Sequence, residues 1–145
     1  MQIEKLNNSD KELVQKWRYK NEFEQFNYAF KKDGWIDLYH LQCYSCKKKE
    51  EIIGLFFFIK QKNNEFRILI NPNHLNKGFA KEILGKAIDM GFNELKLNEI
   101  FLLVRKNHHI AINLYERFGF KIFGETKEMI NSIEVEFFKM IKENK

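Results

Sequence analysis

Lys77-Gly78-Phe79-Ala80 lies between an apolar run and a helix-forming pattern, and that combination can bind an anion. The run is Phe66-Arg67-Ile68-Leu69-Ile70, and Asn71-Pro72 breaks it. Apolar residues then stand at 79, 80, 83, 84, 87, 88 and 92, a spacing that places them on one helix face. A strand, a glycine-bearing loop and a helix N-terminus leave backbone N–H groups without intrahelical partners. The helix dipole favours negative charge beside them. Gly78 has no Cβ, so a phosphate can approach the main chain there. The spacing predicts a phosphorylated ligand, although a glycine at a helix start is also an ordinary turn or cap residue.

Other residues with chemical capacity read more blandly. Tyr115 shares a helix face with Ile110, Ala111, Leu114 and Phe118, and periodicity alone makes it core. Glu65 follows Asn63-Asn64 at the start of the apolar run, where a solvated turn residue and a titratable base are both open readings. Glu22 and His74 are lesser acid–base candidates, and His109 is a first-turn helix residue. Trp17 packs a first helix, beside a solvated Arg18. Cys43-Tyr44-Ser45-Cys46 is a lone C-x-x-C pair. No second pair completes a zinc site, and strand residues three apart face opposite sides, so no metal is expected.

These residues need a scaffold. The chain has 145 residues, which fits a single domain over 1–145. It is 44% hydrophobic with 15 Phe, enough to fill a core, and no Pro- or Gly-rich linker divides it. The net charge of +5 suits an anionic ligand without requiring nucleic acid. Lys47-Lys48-Lys49 runs directly into Glu50-Glu51 and reads as a solvated hairpin turn rather than a nucleic-acid patch. No segment approaches the roughly 20 apolar residues of a membrane helix. The N-terminus lacks a signal-peptide core, so the expected site is the cytoplasm.

Ile3 to Leu6 reads as a strand, and Asn8, Ser9 and Asp10 offer a cap to a helix bearing Leu13, Val14 and Trp17. A short helix or ordered loop with Phe23, Phe26 and Phe30 follows, then a turn at Asp33-Gly34. Leu38 to Ser45 and Ile52 to Ile59 form a hairpin, the second strand being buried on both faces. Strand 65–71, helix 77–92, strand 100–104, helix 109–118 and strand 120–124 come next. Ile133, Val135 and Phe137 alternate with Glu134 and Glu136, giving a last strand with one wet face that could act as an edge for a homodimer. The pattern predicts an α/β (α+β) fold, a mixed sheet with helices on its faces.

This order resembles the GNAT superfamily of acetyl-CoA-dependent N-acetyltransferases, most clearly over 65–120. Leu75-Asn76-Lys77-Gly78-Phe79-Ala80 is similar to the family's pyrophosphate loop. Gly78 and Ala80 match, Leu75 replaces an arginine or glutamine, and Asn76 replaces a frequent glycine. Val104, Ala111, Leu114-Tyr115 and Gly119-Phe120 match a second motif, in which His108, beside Asn107, stands at the place of an asparagine.

The resemblance implies a GNAT fold, a sheet of about seven strands splayed between the fourth and fifth, with helices on both faces. It implies acetyl-CoA as cosubstrate, its pantetheine arm in the splay, with backbone of Leu69 or Ile70 donating to the acyl oxygen. Tyr115 becomes the acid at the sulfur, Glu65 a base acting through water, and Asn107 or His108 a cofactor contact. Trp17-Arg18 and Asn71-Pro72 further resemble branches acting on nucleotide-linked 4-amino sugars or on ribosomal-protein N-termini. Trp17, Arg18, Tyr19, Phe26 and Tyr28 would then shape the acceptor pocket, Arg18 pairing with a diphosphate. A non-catalytic acyl-CoA sensor is the alternative from another class.

Overall fold

Asn7 starts the first helix. Its side-chain oxygen accepts the Asp10 N–H at 2.8 Å, so the cap is one residue earlier than the sequence pattern suggests. Helix α1 (Asn8–Gln15) buries Val14 and leaves Leu13 exposed. Trp17 lies beyond its end, with its N–H on the Val14 carbonyl. The computed structural model describes residues 1–20, 42–130 and 132–145. The expected element at 21–30, the Asp33-Gly34 turn, Glu22, Phe26 and Tyr28, and the first half of the strand expected from Leu38 lie outside the described residues.

Strands β1 (Gln2–Lys5), β2 (Tyr44–Lys48), β3 (Glu51–Ile59), β4 (Glu65–Ile70), β5 (Glu99–Arg105), β6 (Lys121–Ile130) and β7 (Ile133–Glu143) form one sheet. Its order is β1-β2-β3-β4-β5-β7-β6. β4 and β5 are parallel with Glu65 opposite Phe101, while β5–β7 and β6–β7 are antiparallel. The seven-stranded mixed sheet agrees with the sequence expectation. The chain packs as two units, Met1–Phe57 with Ile68–Ile83, and Phe58–Arg67 with Leu84–Lys145.

In the first unit, β2 and β3 make the expected hairpin, with a tighter turn. Lys49 and Glu50 alone form it, both left-handed at φ 50 and 69, as a two-residue hairpin loop of type I′ requires. Lys47 and Lys48 belong to the strand. Lys47 is no solvated turn residue: its ammonium lies 2.7 Å from Glu4 and 2.9 Å from Asp10, and the bond to Glu4, then that to Asp10, raises its pKa. β3 is buried on both faces, as its apolar run implies. Gly54 interrupts that run because β4 comes too close for a side chain. A Cβ there would stand 2.8 Å from the Leu69 carbonyl oxygen and from Ile83 Cδ1. Ile83 can rotate, but the carbonyl is held in the strand. Gly54→Ala should therefore cost about 1–3 kcal/mol through overpacking. A thermal melt checks it, and an unchanged midpoint would show that β4 yields there.

In the second unit, helix α2 (Phe79–Asp89), whose last residues belong here, runs into a π-helical turn at Met90–Glu94. A Cβ at Gly91 would sit 3.1 Å from Ile100 and from Phe58, so the helix loosens where it meets β5. Helix α3 (His109–Arg117) approaches α2 at Gly85, whose absent Cβ would lie 3.5 Å from Phe118. On α3 the expected face is rotated: Ile110 is 78% exposed and Ile112 is buried. Periodicity over so short a helix does not set which flank meets the sheet. The larger correction concerns β7. It is enclosed between β5 and β6, so it is not an edge, and β6 is the end strand among the described residues.

Candidate active site

The phosphate-loop candidate begins where β4 ends, within the first unit. Asn71 is buried and uses its whole polar inventory. Its N–H donates to the Ile53 carbonyl at 2.8 Å and its Nδ2 to the Ile52 carbonyl at 2.8 Å, while its Oδ1 accepts the Asn73 N–H at 2.9 Å. The strand exit is thus tied to β3, and Pro72–His74 turns the chain away. Tyr19 adds a second tie. Its hydroxyl donates to the Ile70 carbonyl at 2.5 Å, and burial raises the phenol far above its ordinary pKa, so it remains a donor. Tyr19 therefore braces the strand end that the acyl group was expected to meet. The contact spans 51 residues of sequence, and no local signal marks it.

His74, a lesser acid–base candidate, packs against the start of α2. Its ring meets Phe79 edge-on at 5.6 Å, and Nε2 lies 2.9 Å from Glu51 Oε1, off the direction of a hydrogen bond. Lys48 stands 4.8 Å over the other contact of that cluster, the Phe79 ring, and 3.2 Å from Glu82. The first turn of α2 is thus clamped to the β2–β3 hairpin. Leu75, Asn76, Lys77 and Gly78 cross ahead of it, with Asn76 at φ 60 and Gly78 at φ 80. Left-handed residues close together turn backbone N–H groups toward a common point, a concavity that suits anions. Asparagine tolerates this conformation better than any other residue with a Cβ except aspartate, which explains how Asn76 replaces a glycine. Nothing lies within 4 Å of a Cβ built at Gly78, and Asn76, Lys77 and Gly78 are all exposed. Phe79 and Ala80 follow at the helix start, half-buried.

The second unit holds the remaining candidates. Glu65 is neither solvated nor in a turn: it is buried at the start of β4, with Oε2 2.5 Å from Arg67 Nε. Residues two apart on a strand share a face, which allows the pair. At the start of α3, His108 occupies the N-cap position and Asn107 is exposed. The His108 side chain makes no capping bond, which leaves the first-turn N–H groups of α3 uncapped by it. Burial, then the charges of Arg105 and His109, lowers the imidazole below its ordinary pKa, so it is neutral at pH 7. Tyr115 stands on α3 with its ring 5.8 Å from that of Phe120. The residue as a whole is half-buried, and desolvation of its hydroxyl pushes the phenol up to about 12.

Leu69, Ile70 and 75–80 thus lie along one strand-to-helix passage of the first unit, while Glu65, His108 and Tyr115 belong to the second. Arg18 is assigned differently from the acceptor-pocket expectation. Its Nη1 donates to the carbonyls of Gln15 and Trp17, at 2.9 and 2.6 Å, closing the end of α1. Trp17 is half-buried beside it, and Tyr28 lies outside the described residues. Among the described residues no group of three His, Cys, Asp or Glu side chains could hold a metal ion, and Cys43 and Cys46 are both buried.

The acetyltransferase (GNAT) family model matches residues 6–120. Acetyltransferase PseH of Campylobacter jejuni is 31% identical over 138 residues, covering 85% of this chain and 84% of that one. Spermidine N(1)-acetyltransferase of Vibrio cholerae is 36% identical over 84 residues, covering 55% of this chain and 49% of that one. This chain thus spans about half the length of that relative. A crystal structure of the Vibrio cholerae spermidine N-acetyltransferase with CoA and spermine superimposes with a TM-score of 0.80. It is 24% identical and covers 98% of this chain and 94% of that one, which shows a shared fold.

Proposed function

The chain belongs to the acetyltransferase (GNAT) family, and on that premise we propose that it is an acetyl-CoA-dependent N-acetyltransferase acting on the primary amine of a small molecule. The observation that carries the reading is the left-handed pair Asn76 and Gly78 ahead of α2, an exposed backbone cradle fit for a diphosphate. Acetyl-CoA supplies the acyl group as a thioester when bound.

Each residue then has a task. N–H groups of 76–80 hold the phosphates, and the neutral His108 with the α3 start makes a further cofactor contact. A backbone N–H of Leu69 or Ile70 donates to the acyl oxygen, on a strand end stiffened by Tyr19 and Asn71. The amine nitrogen attacks the carbonyl carbon, the carbon–sulfur bond breaks, and the amine's proton leaves through water to Glu65, which Arg67 orients. Tyr115 is the residue that would donate to the departing sulfur. With its pKa at about 12, against about 8.5 for an ordinary thiol, the phenol donates a hydrogen bond more readily than a whole proton.

The acceptor we propose is a nucleotide-linked 4-amino sugar. The net charge of +5 favours an anionic substrate over a polycation. A polyamine is the second reading, favoured by the names of the spermidine acetyltransferases, whose matches cover about half of this chain or less. The domain is taken as 1–145 and its site as cytoplasmic; among the described residues no helix is long and apolar enough to cross a membrane.

A free-thiol assay with acetyl-CoA and an amine panel tests this. Thiol release with the amino-sugar nucleotide is expected, together with a melting shift. Saturation at about 100 times Kd stabilises by about 2.7 kcal/mol. Release with spermidine alone moves the acceptor to polyamines, and release with a peptide N-terminus moves it to proteins. A melting shift without release from any amine identifies a sensor. No shift at millimolar acetyl-CoA sinks the cofactor assignment.

A further inference from the structure

The end strand β6 carries a sequence that is complementary to itself. An end strand presents unpaired N–H and C=O groups along its outer side, a template for another strand. Most exposed edges are protected by scattered charge and few apolar side chains. Here the β6–β7 hairpin holds four of the seven large hydrophobic residues exposed in the described chain, namely Ile122 (44%), Phe123 (53%), Met129 (64%) and Ile133 (65%). Phe123 leans toward Phe101, with ring centroids 5.8 Å apart, and still remains half in solvent.

We propose that two copies of this chain associate through β6, antiparallel about a two-fold axis at Thr126, joining their sheets edge to edge. In a two-fold pairing, residues equally far from the centre on either side stand opposite one another. With Thr126 at the centre, Glu125 faces Lys127 of the second copy and Lys127 faces its Glu125. Beyond the regular run 124–128, the apolar Ile122–Phe123 end of each copy then lies beside the Met129–Ile130 end of the other, twice by symmetry. Opposite charges and apolar pairs directly across are the favourable cross-strand combinations.

Neighbouring registers lose this match. Centring on Glu125 sets that glutamate against itself. Centring on Lys127 sets that lysine against itself and Met129 against Glu125. A centre between Thr126 and Lys127 sets Glu125 against Glu128. Register is therefore specified by the sequence of the edge.

The local geometry permits the pairing. The ladder to β7 shifts between Ile122 and Gly124, a bulge that ends regular pairing at Phe123. The symmetric run 124–128 lies wholly on the regular side of that bulge. The charges are accessible: Glu125 and Lys127 are each 61% exposed, bonded to Lys106 at 2.8 Å and Glu134 at 3.7 Å within the chain.

The experiment is light scattering coupled to gel filtration on the full chain, over a concentration series, with Glu125→Lys, Lys127→Glu and the doubly exchanged variant. The wild type is expected at twice 17.6 kDa. Each single reversal places like charges opposite each other twice, and should raise the dimer dissociation constant at least about tenfold. The double exchange restores opposite pairs and should restore the dimer. Circular dichroism melts confirm that each variant is folded; if one single reversal is not, the other carries the comparison. A monomeric wild type overturns the proposal. So do single reversals that remain fully dimeric, and so does a folded double exchange that stays monomeric.

Discussion

Tyr115→Phe lowers kcat by about ten- to a thousand-fold while acetyl-CoA binding stays nearly unchanged. The substitution removes the hydroxyl and keeps the ring that meets Phe120. The size follows from what the hydroxyl does. Donation to the departing sulfur is made only as charge develops there, so its loss falls on kcat rather than on binding. A thiolate leaves tolerably without help, which sets the low end. With the phenol at about 12, the group stays protonated through the usual assay range, so its removal should not shift an acid or alkaline limb below that pH. Steady-state kinetics with saturating acceptor, beside a melting curve, decide the matter. Wild-type turnover in a folded variant would return Tyr115 to the core and leave proximity and the β4 backbone donors to explain catalysis.

Gly78→Val weakens acetyl-CoA binding by at least about tenfold, for two reasons that separate experimentally. At φ 80 a β-branched residue is strained by about 1–2 kcal/mol, which lowers the melting temperature of the free protein. The branched side chain also enters the open space beside the loop, where a phosphate would approach. Gly78→Ala carries most of the first effect and less of the second. Calorimetric titration of the three proteins with acetyl-CoA should rank affinity as glycine, alanine, valine. Equal affinities in folded variants would mean that the loop does not hold the phosphates.

Much of the site could be read from the chain because its signals are short-range. The strand 66–70, the Asn71-Pro72 break, the turn at 75–78 and helix 79–89 are set by spacing and by residues next to one another. The Glu65–Arg67 pair was also accessible, since residues two apart on a strand share a face, although Glu65 read equally as a solvated turn residue or as a base. That His108 rather than Asn107 takes the N-cap position needed the exact helix start, because a cap is defined by one residue's dihedrals. Arg18 read as a solvated residue or, by resemblance, as a partner for a diphosphate; the bonds of its Nη1 to the Gln15 and Trp17 carbonyls depend on how its own helix ends.

The sequence by itself determined the alternation of strands and helices, the glycine-bearing turn ahead of α2 and the family. Hydrophobic period, glycine position and capping chemistry act over a few residues, and these features depend on nothing more distant. Only the tertiary structure decided which strand lies at the edge. The wet face of β7 was read as a border, yet β7 runs between β5 and β6, because a strand's neighbours are chosen by the whole sheet and not by its own pattern. The Tyr19 hydroxyl on the Ile70 carbonyl and the Asn71 side chain on the Ile52 carbonyl likewise join residues far apart in the chain. Such bonds are decided by which buried polar groups end up without another partner once the core has closed, a condition that exists only in three dimensions.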